Sequence, residues 1–343
     1  MRLPTYVTDR AAVLVVLAAA ATVFAKNREH IAGPGTVLNV SYDPTRELYA
    51  DLNPRFEEAF FARTRQGLKI IQSHGGSSRQ ARAVVDGLDA DVVTLALASD
   101  VDLLRMHGLI TEDWSTRLPN HSVPYTSTIV FVVRRGNPAH IADWPDLVRP
   151  GISIVTPSPK TSGNGKLALM AAWGSTLRRG GRESDARTFV SALYSHVVTL
   201  DPGARAATTA FSEDKIGDVH LTWENEALFE VAEASGDLEV VYPPTSIRAE
   251  PSVAWVDTNV ARKGSQAMAQ AYLEYLFTDE AQEIIAQHGY RPFREDILTR
   301  HADRFPSLDL FPVTFVAKDW NDAQRKFFAE GGVFDTLREA KDK

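Results

Sequence analysis

The sequence contains no cysteine among its 343 residues. This absence excludes disulfide bonds, thiolate metal sites, cysteine nucleophiles and a lipidated N-terminal cysteine. Internal repeats and low-complexity tracts are also absent, and the charged and apolar fractions are ordinary for a globular protein. A chain of this length can bury two compact cores, so we expect apolar burial to stabilise the fold without cross-links.

Long apolar runs are scarce, and the longest lies close to the N-terminus. It covers residues 11–24, follows Arg2 and Arg10, and is followed by the small residue Ala25. A charged start, an apolar middle and a small-residue end are typical of a signal peptide, and the run is shorter than the about 20 residues that span a bilayer. We therefore predict that residues 1–25 are a signal peptide cleaved near Ala25 and that the protein is periplasmic. A retained membrane anchor is the alternative.

The sequence also lacks an excess of positive charge. Its net charge is −7, and removal of the +1 contributed by Arg2, Asp9 and Arg10 leaves −8. Such a surface does not attract nucleic acid or anionic membrane, so no nucleic-acid partner is expected. If the protein binds an anion, local dipoles must hold it against this overall charge.

Nine apolar runs alternate with helical patterns along the rest of the chain. The predicted strands are 37–42, 68–72, 91–97, 127–133, 152–156, 197–200, 219–221, 238–242 and 253–256. The predicted helices are 46–63, 77–88, 166–178, 185–196 and 266–287. This alternation predicts an α/β protein with largely parallel sheets, and nine strands exceed one comfortable sheet. We therefore expect two lobes.

Two extended segments, near 124–135 and 247–256, are the natural crossings between the lobes. The prediction assigns residues 36–125 and 250–343 to lobe 1, with the C-terminal helices returning to it, and residues 126–249 to lobe 2. Two crossing strands imply a hinge with a cleft between the lobes.

Several predicted strands lead directly into a turn that starts a helix. Such turns occur at 41–47, 73–80, 159–166 and 201–205. Backbone N–H groups at a helix start are unpaired, and the helix dipole adds partial positive charge there. One such turn is ordinary helix capping. Several in one chain indicate a receptor for an oxyanion.

Two enzyme functions can be considered, and the chain lacks the sequence motif that each of them requires. The turn at 159–166 superficially resembles a nucleotide-binding loop, but Lys160 stands where that loop needs glycine and Leu167 where it needs serine or threonine. His74 near Ser77 suggests a base and a nucleophile, as in a sulfatase or phosphatase, but the chain lacks the Gly-x-Ser-x-Gly elbow. Metal-ligand spacing is not visible among the nine histidines. We therefore predict no catalytic residue and no metal, with His74 as a turn residue.

The candidate ligand groups are mostly hydrogen-bond donors. Trp223 is followed by the acidic residues Glu224 and Glu226. Its indole N–H can only donate a hydrogen bond. Taken alone, however, the residue is predicted to be an ordinary half-buried aromatic. Sulfate only accepts hydrogen bonds at neutral pH, whereas phosphate keeps a proton that a donor-only site leaves unmatched. Donor chemistry therefore favours sulfate. The Asp43 carboxylate complicates this, because it would repel sulfate or accept the phosphate proton if it faced the ligand.

A set of short stretches carries a family resemblance. They are 38–49, 72–77, 93–98, 124–131, 203–205, 223–227 and 290–292. In this order, over about residues 36–335, the chain closely resembles the periplasmic sulfate-binding proteins of ABC transporters, including their thiosulfate-binding branch. The resemblance implies a two-lobe periplasmic binding protein fold of type II and a receptor that delivers sulfate, or alternatively thiosulfate, to permease subunits in the membrane. No cofactor is expected, and a monomer is the default.

The resemblance also implies which groups hold a dehydrated sulfate, with no metal or cationic side chain touching it. Backbone N–H groups donate at Asp43, Ser77, Gly163, Asn164 and Ala204, and side chains donate at Ser162 and Trp223. The resemblance also implies that Arg205, Gly76 and His74 lie next to these residues without contacting the sulfate themselves. Asp43 then acts through its amide. Asn164 stands where the family usually has glycine, and Lys166, where it often has arginine, is expected to be peripheral.

Receptors for phosphate, molybdate and ferric ion share this architecture, and the fold alone does not separate them. Ferric ion needs paired tyrosines or carboxylates, which the predicted cleft turns do not supply. Molybdate differs from sulfate mainly in size. Thiosulfate stays open as the rival ligand.

Overall fold

The computed structural model describes residues 35–339, and the predicted signal peptide lies outside them. The strands are β1 (Gly35–Tyr42), β2 (Leu68–Gly75), β3 (Val92–Leu95), β4 (Tyr125–Arg134), β5 (Ile154–Pro157), β6 (Val197–Asp201), β7 (Val219–Trp223), β8 (Leu238–Val241), β9 (Thr245–Ala249), β10 (Ser252–Trp255), β11 (Arg291–Pro292) and β12 (Asp309–Phe311). All nine predicted strands are present within a few residues of their expected ends. The short strands β9, β11 and β12 were not predicted.

The helices agree less closely with the prediction. They are α1 (Arg46–Thr64), α2 (Ser77–Val85), α3 (Ala98–Met106), α4 (Gly163–Arg178), α5 (Glu183–Ser195), α6 (Ala204–Ser212), α7 (Glu224–Glu233), α8 (Asp257–Lys263), α9 (Gln266–Tyr275), α10 (Asp279–Gln287), α11 (Glu295–Arg300), α12 (Trp320–Ala323) and α13 (Val333–Glu339). The single helix predicted at 266–287 is wrong. It divides into α9 and α10 because the Thr278 side chain accepts the Ala281 N–H and starts a new helix.

The strands form two sheets. In the first, with the order β10-β3-β1-β2, β1 runs parallel to both β2 and β3, and β10 runs antiparallel to β3. The second has the order β12-β9-β4-β7-β5-β6, with β8 and β11 also paired to β4. The expectation of largely parallel sheets is wrong here. The crossing strand β4 runs antiparallel to all four of its partners.

Two extended segments connect the sheets, as predicted. The first, β4, follows the elements of the first sheet and forms the centre of the second. The second consists of β9 in the second sheet and β10 in the first, separated only by Glu250 and Pro251. These crossings form the hinge of a two-lobe periplasmic binding protein fold of type II.

The C-terminal segment packs on the second sheet. β12 pairs with β9, and the rings of Trp173 and Phe327 lie 4.9 Å apart, between α4 and the C-terminal segment. The Tyr194 and Phe334 rings, on α5 and α13, lie 5.4 Å apart. The lobe limits stay a prediction. These contacts place β12, Phe327 and α13 beside the second sheet, whereas Asn321 Nδ2 donates to Asp102 Oδ2 on α3, so the C-terminal segment contacts both lobes.

Parallel strands bring the predicted turns to the same place. In the first lobe, Tyr42 pairs in register with Gly75, so β1 and β2 end together. In the second, Pro157 pairs with Asp201, and β7 runs in the same direction as β5. Ligands bind beyond the carboxyl ends of strands in such sheets. Within residues 35–339, no helix is long and apolar enough to cross a membrane.

Candidate functional site

One cavity between the lobes collects the residues named from the sequence. Its walls include Asp43, Gly76, Ser77, Ser162, Gly163, Asn164, Ala204 and Trp223. The first three come from the strand ends of the first sheet and the others from those of the second. All seven predicted contacts therefore surround the same space. Their role as ligands stays a prediction.

Three helices start at this cavity. Their first residues are Ser77 in α2, Gly163 in α4 and Ala204 in α6. The residues before them, Gly76, Ser162 and Gly203, have extended or irregular backbones. Across the described part of the chain, no side chain caps any of these three starts. Their N–H groups and the positive ends of their dipoles are thus available to an anion.

The Ser77 hydroxyl is engaged within its own lobe. It donates to Asp100 Oδ2 at 2.5 Å and accepts the Ala96 N–H at 3.0 Å. Both bonds hold the first turn of α2 against α3. Ser77 can therefore offer the cavity its backbone N–H, in agreement with the resemblance.

The Asp43 carboxylate has partners of its own. Oδ1 accepts a hydrogen bond from Arg46 Nη2 at 3.0 Å. Oδ2 lies against Gly203 so closely that a Cβ at position 203 would stand 2.6 Å from it. These contacts give the carboxylate a cation and a backbone neighbour and leave the Asp43 amide as the group suited to an anion.

Trp223 is completely buried, so the expectation of a half-buried aromatic is wrong. Its ring lies 5.4 Å from the Tyr42 ring, which belongs to the opposite lobe. Its indole Nε1 has no hydrogen-bond partner among residues 35–339. A buried unpaired donor costs about 1–3 kcal/mol. Because Trp223 also lines the cavity, an acceptor bound there would satisfy its indole N–H.

Asn164 adds a polar side chain beside the cavity. Its Nδ2 donates to the Leu221 carbonyl at 3.3 Å, while its Oδ1 is buried and lacks a partner among the described residues. Asn164 thus contributes an acceptor as well as its backbone donor.

Arg205 links the two lobes behind the cavity. Its Nη2 lies 2.8 Å from Glu47 Oε2 on α1 and 3.5 Å from Glu226 Oε1 on α7. Burial raises the pKa of Glu226 to about 7, although the Arg205 cation opposes this shift. The guanidinium charge is therefore shared between two carboxylates and is not free to pair with an anion.

Lys166 is not peripheral, contrary to the expectation. It is 3% exposed, its Nζ donates to Ser78 Oγ at 2.8 Å, and it lies 3.5 Å from Asp100 Oδ1. Asp100, Glu47 and Glu226 were not among the residues predicted from the sequence. The only sequence feature that distinguishes Asp100 is its position in the first turn of a helix, and this position does not indicate a partner on the other lobe.

His74 lies near the end of β2, two residues before Gly76, and is neutral at physiological pH. Burial, assisted by the Arg46 cation, lowers the pKa of His74 to about 4. Between about pH 6.5 and pH 4 the unfolded chain therefore binds a proton that the folded protein does not, so stability falls as the pH decreases through this window. We expect His74→Gln to flatten this part of the pH profile in urea unfolding.

The control for His74 is His107→Gln, because His107 is exposed. That variant should keep the wild-type slope. An unchanged slope in His74→Gln would contradict the assignment of a neutral, buried imidazole.

A two-lobe fold in which three helix starts and an unpaired indole line one cleft is typical of the bilobal receptors for small anions. Comparisons with known proteins agree with this class. The model of the family described as bacterial extracellular solute-binding protein matches residues 37–291. The chain belongs to this family.

Relatives within the family are similar over nearly their whole length. The thiosulfate-binding protein of Pseudomonas aeruginosa is 50% identical over 310 residues, which cover 90% of this chain and 93% of that protein. The sulfate-binding protein of Escherichia coli is 47% identical over 326 residues, covering 94% and 97%. The solved structure of the sulfate-binding protein SubI from Mycobacterium tuberculosis aligns with a TM-score of 0.79 at 31% identity, covering 86% of this chain and 99% of that one.

Proposed function

We propose that the protein is an extracytoplasmic receptor that binds sulfate between its lobes and delivers it to the permease of an ABC transporter. Relatives named for sulfate binding and for thiosulfate binding are about equally similar to the chain. Thiosulfate is therefore the alternative ligand. The observation that carries the proposal is the set of donors around one cavity, which includes the unpaired Trp223 indole.

Local dipoles account for how an acidic protein can hold a dianion. The helices that start at Ser77, Gly163 and Ala204 each place about half an elementary positive charge at the cavity. The nearby cations Arg46, Lys166 and Arg205 are each paired with carboxylates. The charge of the anion is therefore balanced mainly by backbone N–H groups, whose effect decays within about one helical turn.

The same arrangement argues for binding and against catalysis. The Ser77 hydroxyl is engaged by Asp100 and the Ala96 N–H, which keeps it from acting as a nucleophile paired with His74. No group of three or more histidines, aspartates or glutamates within residues 35–339 is arranged to hold a metal ion. We propose a receptor without catalytic residues and without a cofactor.

Isothermal titration of residues 26–343, stripped of bound anion, tests the proposal directly. Sulfate should bind with one-to-one stoichiometry, whereas phosphate should give no signal. Phosphate binding with silent sulfate would contradict the proposal and would mean that an acceptor, such as Asn164 Oδ1, takes the proton of the ligand. The ratio of thiosulfate to sulfate affinity decides between the two candidate ligands, and molybdate tests size selection.

Trp223→Phe is the sharpest variant for this site. It keeps an aromatic ring but removes the N–H, so one anion oxygen loses its partner, and we expect sulfate affinity to fall about 10- to 100-fold. The matched control is Trp173→Phe. Trp173 is also buried with an unpaired indole N–H within the described residues, but it packs against Phe327 away from the cavity. Equal losses in both variants would contradict the placement of Trp223.

Delivery requires export and a membrane partner. We propose that the protein acts in the periplasm after cleavage near Ala25, as a monomer that presents both lobes to the permease. Closure around the ligand then shifts the population toward the state in which both lobes donate hydrogen bonds.

A further inference from the structure

The turn before α4 carries predicted ligand donors together with a lysine that has no contact with the cavity. Ser162 and Gly163 line the cavity, whereas Lys160, two residues earlier in the chain, does not. The Lys160 side chain extends instead to the C-terminal segment, more than 160 residues further along the chain. Lys160 therefore connects the turn that holds the donors to a distant part of the protein.

The Lys160 ammonium is fully engaged by the C-terminal segment. Its Nζ donates to the Phe328 carbonyl at 3.0 Å, to the Ala329 carbonyl at 3.2 Å and to Asp335 Oδ2 at 2.8 Å. An ammonium group has three N–H donors, so these three acceptors satisfy all of them. The two carbonyls end the π-helical turn Gln324–Phe328, where a lysine bonds favourably to carbonyls that lack a partner in the helix. The tip of the lysine is thus fixed in place.

The C-terminal segment is itself packed firmly on the same side of the cleft as Lys160. The rings of Phe327 and Trp173 lie 4.9 Å apart, and those of Phe334 and Tyr194 lie 5.4 Å apart. Trp173 and Tyr194 belong to α4 and α5, which pack beside the second sheet. The contact of Lys160 with this segment therefore does not cross the cleft and does not depend on its closure.

The backbone of the turn has few bonds of its own. The Ser158 carbonyl accepts the N–H groups of Thr161 at 3.2 Å and of Ser162 at 3.0 Å. The Ser158 N–H donates to the Asp201 carbonyl at 2.7 Å, which attaches the start of the turn to β6. The end of the turn continues into α4. Lys160 adds an attachment in the middle, directly before the residues that face the cavity.

We propose that Lys160 is a positioning residue that uses the C-terminal segment to hold the turn at Ser162 and Gly163 in its binding conformation. The hydroxyl of Ser162 and the N–H of Gly163 are then ordered before the anion arrives, so binding loses less conformational entropy. This inference rests on the proposed function, since it assumes that the cavity holds sulfate. It assigns the role to a side chain that does not touch the ligand.

Lys160→Met tests the effect on binding, because methionine keeps an unbranched side chain but removes the charge and the three donors. We expect sulfate affinity in titration calorimetry to fall about 10-fold. Lys160→Arg keeps a cation with several N–H donors, and its affinity should stay within about 3-fold of wild type. Wild-type affinity in Lys160→Met would overturn the proposal.

Amide hydrogen exchange in the ligand-free protein, measured by NMR, separates positioning from a purely structural role. In Lys160→Met the N–H groups of Thr161 and Ser162 should exchange at least about 5-fold faster than in wild type. Faster exchange confined to α13, with wild-type exchange in the turn, would mean that Lys160 only anchors the C-terminal segment and would overturn the proposal. This measurement needs no sulfate. Failure of the wild-type protein to bind sulfate would instead overturn the proposed function.

The matched control is Lys326→Met. The side chains of Lys160 and Lys326 are both 33% exposed, and Lys326 also ties the C-terminal segment to the second lobe. Its Nζ, however, lies 2.6 Å from Glu183 Oε1 on α5, away from the turn. We expect sulfate affinity in this variant within about 2-fold of wild type. A loss equal to that of Lys160→Met would overturn the proposal.

A second variant keeps the proposal testable if Lys160→Met folds poorly. Asp335→Asn removes the charge that faces the ammonium but leaves both carbonyl contacts of Lys160 in place, so sulfate affinity should fall by only about 3-fold. The exchange of the Thr161 and Ser162 amides should rise with it. Wild-type affinity together with wild-type exchange in Asp335→Asn would overturn the proposal.

Discussion

Replacement of Gly76 with alanine is expected to weaken sulfate binding by at least about 100-fold, or about 2.7 kcal/mol, without unfolding the protein. The backbone of Gly76 has φ −58° and ψ 131°, which alanine adopts freely. A Cβ at this position, however, would lie 2.5 Å from the Thr161 carbonyl oxygen and 3.1 Å from that of Pro202. Both oxygens belong to the opposite side of the cleft, so the added methyl group prevents full closure.

The loss is large because donors on both lobes must reach the same anion. N–H···O distances span only about 2.7–3.2 Å, so if the lobes are held apart by more than about 0.5 Å, the N–H groups of Ser77 and Gly163 cannot both bond to one ligand. A buried dianion with unmatched oxygens costs more than an unmatched neutral group. Titration calorimetry measures the loss of affinity, and small-angle scattering tests whether sulfate still makes the protein contract.

Gly75→Ala is the matched control for Gly76→Ala. Its Cβ would meet only side-chain atoms of Gln80 and Arg79 at 3.4–3.6 Å, which is ordinary packing within one lobe. We expect a much smaller loss of affinity for this variant. Equal affinity of Gly76→Ala and wild type would show that the cleft does not need the contact between Gly76 and Thr161, and it would contradict this account of closure.

The elements around the site could be predicted because local chemistry determines them. The runs 37–42 and 197–200 each end directly before an Asp-Pro pair, so both the end of the strand and the following turn can be predicted from a short window of sequence. The seven predicted contacts all lie at such junctions. Parallel pairing then brings the junctions together, and this follows from the α/β pattern rather than from any single residue.

Features that depend on contacts between distant residues could not be predicted. Lys166 and Asp100 give no local sign that they meet, because each satisfies the rules of its own helix. The direction of the Asp43 carboxylate depends on Arg46 and on the close approach of Gly203 from the other lobe. The prediction of largely parallel sheets is wrong around β4, because hydrophobic periodicity carries no information on strand direction.

The buried ion pair between Arg291 and Glu224 supplies the second large effect. Arg291 Nε and Nη2 donate to the two carboxylate oxygens at 2.7 and 2.8 Å, and Nη2 also donates to the Pro306 carbonyl at 2.9 Å. Glu224 is completely buried and starts α7 immediately after Trp223. Arg291 thereby ties the short strand β11 to the junction that carries the indole.

Arg291→Met is expected to lower the free energy of unfolding by about 3–5 kcal/mol near neutral pH, because it leaves the Glu224 carboxylate buried without its cation. Burial already raises the pKa of Glu224, and loss of Arg291 should raise it further. The folded variant then holds a proton that the unfolded chain releases, so its deficit grows as the pH rises above the unfolded pKa and shrinks in acid. Urea unfolding at several pH values measures this dependence.

Two comparisons separate charge burial from general disruption. The double variant Arg291→Met with Glu224→Gln should regain part of the lost stability, because it removes the stranded charge. Arg294→Met removes a guanidinium three residues further on, where the ion pairs with Asp279 and Asp296 are exposed, and should cost at most about 1 kcal/mol. A loss in Arg294→Met as large as in Arg291→Met would mean that removal of any guanidinium near β11, and not loss of the buried pair, lowers stability.

The same variant should also affect the ligand. If the prediction holds, sulfate affinity in Arg291→Met should fall together with stability, since Trp223 and Glu224 are adjacent at the start of α7.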